Sequence, residues 1–153
     1  MFLTVHTALA LLIAKHSPSV LWAFIFGLIS HYFLDLVPHG DKELNQWLQN
    51  KELRKVFIIT LIDVILAANL IAFAIFWNDF NVPLDFAWAA VIGAILPDFL
   101  NGLNILFHPR FLEIPNQVHY FFHCLLFKKI KPFSLRYGLI VQLVTLVIIF
   151  YFL

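Results

Sequence analysis

The stretch Val20–Asp41, "VLWAFIFGLISHYFLDLVPHGD", joins two kinds of residue that rarely share a segment. Its first half, "VLWAFIFGLI", reads as the interior of a membrane helix. Its second half, from Ser30, supplies His31, Asp35, His39 and Asp41. Any fold for this chain has to bury the first half and give the second half a reason to be there.

Composition settles the first requirement. Of the 153 residues, 62% are hydrophobic and 12% are charged, with mean hydropathy +0.90. Soluble domains carry about a quarter charged residues, so a solvated surface cannot be built from this set. The expectation is an all-α, multi-pass integral membrane protein forming one domain over 1–153. The net charge of +1 offers no general attraction for nucleic acid. A single cysteine, Cys124, excludes an internal disulfide and any thiolate metal motif, and it reads as core. The N-terminal "MFLTVHTALALLIAK" has no basic residue before its apolar run and no small-residue cleavage site after it, unlike a removable signal peptide.

Five apolar segments suggest a bundle of about five helices: Phe2–Ala14, Pro18–Val37, Val56–Trp77, Leu84–Phe107 and Leu135–Leu153. The first is short, and so tilted, half-inserted or buried by its neighbours. The other four approach the roughly 20 residues that cross a bilayer core. Ser17 suits the N-cap of the second, with Pro18 at its first helical position, and Ser134 suits the N-cap of the fifth.

Basic residues orient the bundle. Lys42, Lys51, Arg54 and Lys55 fall in one connection. Arg110, Lys128, Lys129, Lys131 and Arg136 fall in another, and Asn78–Asp85 has none. The two basic connections are expected in the cytoplasm, with the protein in the cell's inner membrane. Trp22, Trp77 and Trp88 then fall at the outer interface, and Lys15 alone runs against the scheme. The segment "DKELNQWLQNKEL" (Asp41–Leu53) puts Leu44, Trp47 and Leu48 on one helical face, as a headgroup-level helix or a solvated connector would.

In this frame His6, His31, Asp35, His39, Asp41, Asp63, Asp98, His119 and His123 share one depth near the cytoplasmic surface. Ionisable groups in membrane segments are costly and need an explanation. Each has an ordinary one: a packed histidine at His6, a buried pair at His31–Asp35, a backbone or lysine partner at Asp63, a kinked helix at Pro97–Asp98, and a solvated turn at His39 and Asp41. His16 and His108 beside prolines read as plain loop residues. The coincidence of depth favours a shared site. His31–Asp35 and His119–His123 are i,i+4 pairs that share a helix face. Eight candidate ligands, His6, His31, Asp35, His39, Asp63, Asp98, His119 and His123, are too many for one four-coordinate ion and suit two or three. Imidazole with carboxylate favours zinc, with manganese or iron as alternatives.

Some of these residues resemble a known family. "GAILPDF" (Gly93–Phe99), the early histidine of "VHTALA" and the late "HYFFH" (His119–His123) are similar to motifs of the YdjM-like small membrane-bound metal-dependent hydrolases. "SHYFLDLVPHGD" looks like the His-x-x-x-Asp, Pro-His-x-Asp element of small bacterial relatives. A distant likeness extends to the ligand pairs of zinc-dependent phospholipase C and P1-type nucleases, all-helical proteins that bind three zinc ions. Leu100 stands near Pro97–Asp98 where the family has a second acid, and Tyr120, Phe122 and Cys124 stand where Arg, Thr and Ser are expected. The resemblance thus implies metal binding more firmly than any substrate.

The expected function is a metal-dependent hydrolase of phosphoesters, phospholipids or lipid-linked phosphates, using two metals to activate water and stabilise the leaving oxygen. Asp35, Asp98 and Asp41 are the candidates for catalytic roles. Asp35 or Asp98 would bridge ions, and Asp41 would be a ligand or would orient a histidine. Lys42, Arg54 and Arg110 are candidates to hold a phosphate. Two other classes remain open: a metal-ion or proton transporter lined by Asp63, Asp98 and His31, and a non-catalytic scaffold held by metal.

Overall fold

A computed structural model describes residues 1–40, 42–76, 81–125 and 134–153, leaving the side chains of residues 45 and 123–125 aside. The regular structure of the described residues is helical, in seven α-helices: α1 (Leu3–His16), α2 (Val20–Asp35), α3 (Lys42–Gln49), α4 (Leu53–Phe76), α5 (Leu84–Phe107), α6 (Glu113–Leu125) and α7 (Leu135–Phe152). A 3-10 turn, Arg110–Leu112, precedes α6.

Seven replaces the expected five because α3 and α6 are true helices, though too polar and short to count as spans. Among the described residues three helices, α4, α5 and α7, are long and apolar enough to cross a membrane. The expected fourth, α2, has only 16 residues. Its cap is also displaced: Ser19, not Ser17, accepts from the Trp22 amide, while Ser17 closes α1 and its hydroxyl donates to the Ile13 carbonyl. Ser134 does stand at the N-cap of α7, but its side chain makes no cap bond. The Leu135 amide instead donates to Glu43 Oε2 of α3 at 2.6 Å.

The short first helix is the hub. α1 packs against α2, α4, α5 and α7, and Ala8, Ala10 and Leu11 are fully enclosed. Of the three fates open to a short apolar segment, burial by neighbours is the one realised. Phe2 bonds Gln142 and Lys15 bonds the Leu153 carbonyl, so α1 and α7 run parallel. α2 returns antiparallel to α1, and α5 runs parallel to α2, with Gly27 against Ala90 and His31 against Ala94.

The α2–α5 crossing is close because two glycines permit it. A Cβ at Gly27 would lie 2.2 Å from the Ala90 carbonyl oxygen, and one at Gly93 would lie 2.3 Å from that of Phe24. Small residues let helices approach where lipid offers no hydrophobic drive between them. Outside this core the surface is apolar. Phe57, Leu61, Ile62 and Ile65 of α4 and Leu143, Val144, Val147 and Ile148 of α7 all face outward, as lipid contact requires.

Candidate metal centre

Helix geometry places two side chains of the centre directly. His31 and Asp35 lie one turn apart on the inner face of α2, both essentially inaccessible. Asp98 follows Pro97, a proline inside α5 that removes one intrahelical bond and lets the helix deviate. The fourth member, His119, arrives by a chain reversal. α5 stops at His108, which adopts the left-handed conformation (φ 50°) and whose Nδ1 donates to the Asn104 carbonyl at 2.6 Å. Pro109 and the 3-10 turn then redirect α6 back across α2 and α5.

One ligand atom from each of His31, Asp35, Asp98 and His119 lies within 4.8 Å of the other three. His31 Nε2 is 3.2 Å from Asp35 Oδ2 and 3.8 Å from Asp98 Oδ1. His119 Nε2 is 3.7 Å from Asp98 Oδ1, and its Nδ1 is 3.4 Å from His31 Nε2.

The orientation of His31 gives these distances chemical meaning. Its Nδ1 lies 2.7 Å from the Ala94 carbonyl. A carbonyl only accepts, so Nδ1 carries the proton, and in the neutral ring Nε2 offers a lone pair. That lone pair meets the oxygens of Asp35 and Asp98. Asp35 Oδ2 is buried and accepts no hydrogen bond despite its nearness to His31. Converging lone pairs in an apolar interior repel unless a donor or cation lies among them; Met1 serves Asp35 Oδ1 and His119 Nδ1 is within reach of His31 Nε2, which leaves Asp35 Oδ2 unserved. Metal-bound histidines characteristically donate their other nitrogen to a carbonyl. The buried four-residue group can hold a metal ion, and its nitrogen and oxygen donors fit one.

Asp35 also faces a second group. Its Oδ1 lies 3.3 Å from His6 Nε2 and 2.5 Å from the amino nitrogen of Met1. His6 is fully enclosed and stacks on His31, with ring centroids 4.3 Å apart and planes 19° apart. Neither of its ring nitrogens has a hydrogen-bond partner. His39 completes this side. Its Nδ1 donates to the Val37 carbonyl at 2.6 Å, leaving Nε2 to face the Met1 nitrogen at 2.8 Å.

The structure therefore brings His31, Asp35, Asp98 and His119 into one group, with His6 against Asp35 Oδ1 and His39 on the far side of the Met1 nitrogen. It separates Asp63, whose carboxylate caps α1 from a neighbouring helix. Oδ2 accepts from the Leu3 amide at 2.6 Å, and Oδ1 accepts from the Thr4 amide at 3.0 Å and the Thr4 hydroxyl at 2.6 Å. Its lone pairs are engaged by donors, so the backbone partner is the reading that applies to Asp63. Asp41 and the side chain of His123 lie outside the described residues.

Two participants escape a reading of the sequence. Gln142 of α7 is buried; its Oε1 accepts from the Phe2 amide at 3.0 Å and its Nε2 donates to the His39 carbonyl at 3.1 Å. A lone glutamine in an otherwise apolar membrane helix was the available signal. Gly138, one turn earlier, has no room for a Cβ, which would lie 2.2 Å from the His39 carbonyl oxygen. Gly40 turns the chain there with φ +87°. The Met1 amine is the second unforeseen participant.

No protein-family model matches the chain, and neither a curated protein nor a solved structure matches it.

Proposed function

We propose that the protein is a membrane-embedded, metal-dependent hydrolase of phosphoesters, with phospholipids or lipid-linked phosphates as substrates and the centre facing the cytoplasm. The observation that carries this reading is the convergence of His31, Asp35, Asp98 and His119, with His31 held through its far nitrogen by the Ala94 carbonyl. Zinc suits this donor set best, and a second ion sharing Asp35 suits the His6–His39 side. The family resemblance and the basic connections support the same chemistry and orientation.

Bound metal would supply an activated water and charge stabilisation for a phosphoryl leaving oxygen. The chain's own groups divide the remaining tasks. Asp35, 1% exposed, would hold metal and meets no solvent. Asp98 is 29% exposed, so the centre opens on its α5–α6 side, where a phosphate would approach. Asp98 and His119 are therefore the residues placed to meet substrate, and Ala94 and Val37 fix the tautomers of the histidines behind them.

Elemental analysis of purified protein tests the premise. We expect bound zinc or manganese in the wild type and a loss of it in His31→Ala and His119→Ala. Equal metal content in all three would end the shared-site reading. Turnover of phospholipid or a generic phosphodiester by the loaded protein then tests the activity. Metal without turnover would leave a metal-stabilised scaffold as the better account.

A further inference from the structure

Beside the metal centre, on the outer surface of α2 and α6, lies a groove of about 250 Å³ lined by Ile29, Tyr32, Phe33, Leu36 and Phe122. We infer that this groove is an acyl-chain subsite, seating one hydrocarbon chain of a phospholipid whose phosphate reaches Asp98 and His119. The inference rests on the hydrolase reading only for what happens to the phosphate.

Continuity with the centre separates this groove from ordinary lipid-facing surface. Tyr32 follows His31, and its ring stands edge-on to the histidine, with centroids 5.5 Å apart at 86°. Phe122 lies three residues beyond His119 on the same face of α6. The two aromatics meet at 4.8 Å between centroids. The wall of the groove is thus made by the immediate neighbours of two metal-ligand candidates, one on each helix. A molecule lying along it would have its polar end at the centre.

The chemistry of the lining names the occupant. All five side chains present carbon to the groove, apart from the Tyr32 hydroxyl. Other exposed residues of α2 and α6, Phe26, Val118 and Phe121, are apolar as well. The volume takes roughly eight groups the size of a water or a methylene. Water has too few polar partners there to stay, whereas an alkyl chain loses nothing by moving from the bilayer into such a slot. A wholly soluble phosphoester would leave the groove unused. A two-chain phospholipid would use it for one chain and leave the other in the bilayer, which fixes the headgroup's approach.

Photolabelling tests the groove without relying on turnover. The full chain is placed in nanodiscs of dioleoylphosphatidylcholine containing phosphatidylglycerol with a diazirine in one acyl chain. Labelled peptides are then mapped by mass spectrometry. Labelling is expected to concentrate on Ile29–Leu36 and the Phe122 region. Filling the groove with Ile29→Trp is expected to lower that labelling to the level seen on the outer faces of α4 and α7. Phe122→Ala opens the groove and is expected to raise the labelling, so a folding defect in one variant does not decide the outcome.

Labelling spread evenly over the outer faces of α4 and α7, or unchanged in both variants, would overturn the subsite. Labelling excluded from the groove, as a covering protein segment or partner would produce, overturns it too. Turnover is read separately. A labelled groove with no cleavage of phosphatidylglycerol or of bis-p-nitrophenyl phosphate would end the hydrolase reading and leave the subsite standing. With cleavage, Ile29→Trp should impair phosphatidylglycerol and spare the small diester.

Discussion

Asp35 at the end of α2 and Asp63 in α4 are both buried carboxylates, 1% and 6% exposed, in a bundle that is otherwise almost entirely apolar. Each lies within reach of the start of α1. Their surroundings nevertheless differ in kind. Asp63 faces donors: two backbone amides and a hydroxyl converge on it. The charge is spread over hydrogen bonds and complements the positive end of the α1 dipole. Phe2, at the N-cap of α1, brings no capping side chain of its own, so the cap comes from another helix. Asp35 is divided instead. Its Oδ1 accepts from the Met1 ammonium at 2.5 Å, while Oδ2 accepts no hydrogen bond and lies 3.2 Å from His31 Nε2. A carboxylate with donors on both oxygens is finished as structure, and one with an oxygen left beside a histidine lone pair has room for a cation there.

That contrast breaks most easily at metal binding. Asp35→Asn should weaken zinc binding by at least about 100-fold, beyond the 10–100-fold of an outer-shell change, as read by chelator competition. Asp63→Ala should leave the metal content per folded molecule unchanged. If the two variants lose metal equally, the distinction between the carboxylates is wrong.

The next effect is on stability and runs the other way. Asp63→Ala leaves two amides at the start of α1 without partners, costing about 3 kcal/mol in a detergent melt. Asp35→Asn keeps an oxygen that can accept from the Met1 amine and removes charge from an Oδ2 with no donor to lose, so it should cost less than Asp63→Ala in metal-free protein.

The smallest effect sharpens the comparison at the His39 side of Asp35. Gln142→Leu removes one bond to Phe2 and one to His39, an expected loss of about 1–2 kcal/mol. Zinc stoichiometry should fall only on the His6–His39 side, with the His31–His119 group still loaded. Loss of all metal would show that the two groups are one indivisible site.

The comparison also marks where the sequence is informative. Helix periodicity and the basic connections brought His6, His31, Asp35, His39, Asp98 and His119 to one depth, and packing joined them, because depth and face follow from local geometry. The bounds of α5 were legible to the residue, since Pro83 and the left-handed His108 punctuate them. Asp63 was not separable. A carboxylate that caps a helix some sixty residues away has the same sequence signature as one that binds metal. Gln142 was missed for the same reason, as its two partners lie at the far end of the chain. The span of α2 was misjudged because its ends close locally at 16 residues, with Ser19 capping the start and the Leu36 and Val37 amides bonding Phe33 and Leu34 at the finish.

The central position of α1 also bears on how the bundle is assembled. With 14 residues it extends about 21 Å at 1.5 Å per residue, against about 30 Å of hydrocarbon. Lipid alone would hold such a segment poorly. Yet α1 emerges from the ribosome before every helix that surrounds it, and α7, which pins Phe2 through Gln142, is made long afterwards. The first helix must therefore wait, tethered to α2 by a three-residue link, until later helices enclose it. His6, which α1 carries, is set against Asp35 only then, so an incomplete bundle leaves that part of the polar interior unformed.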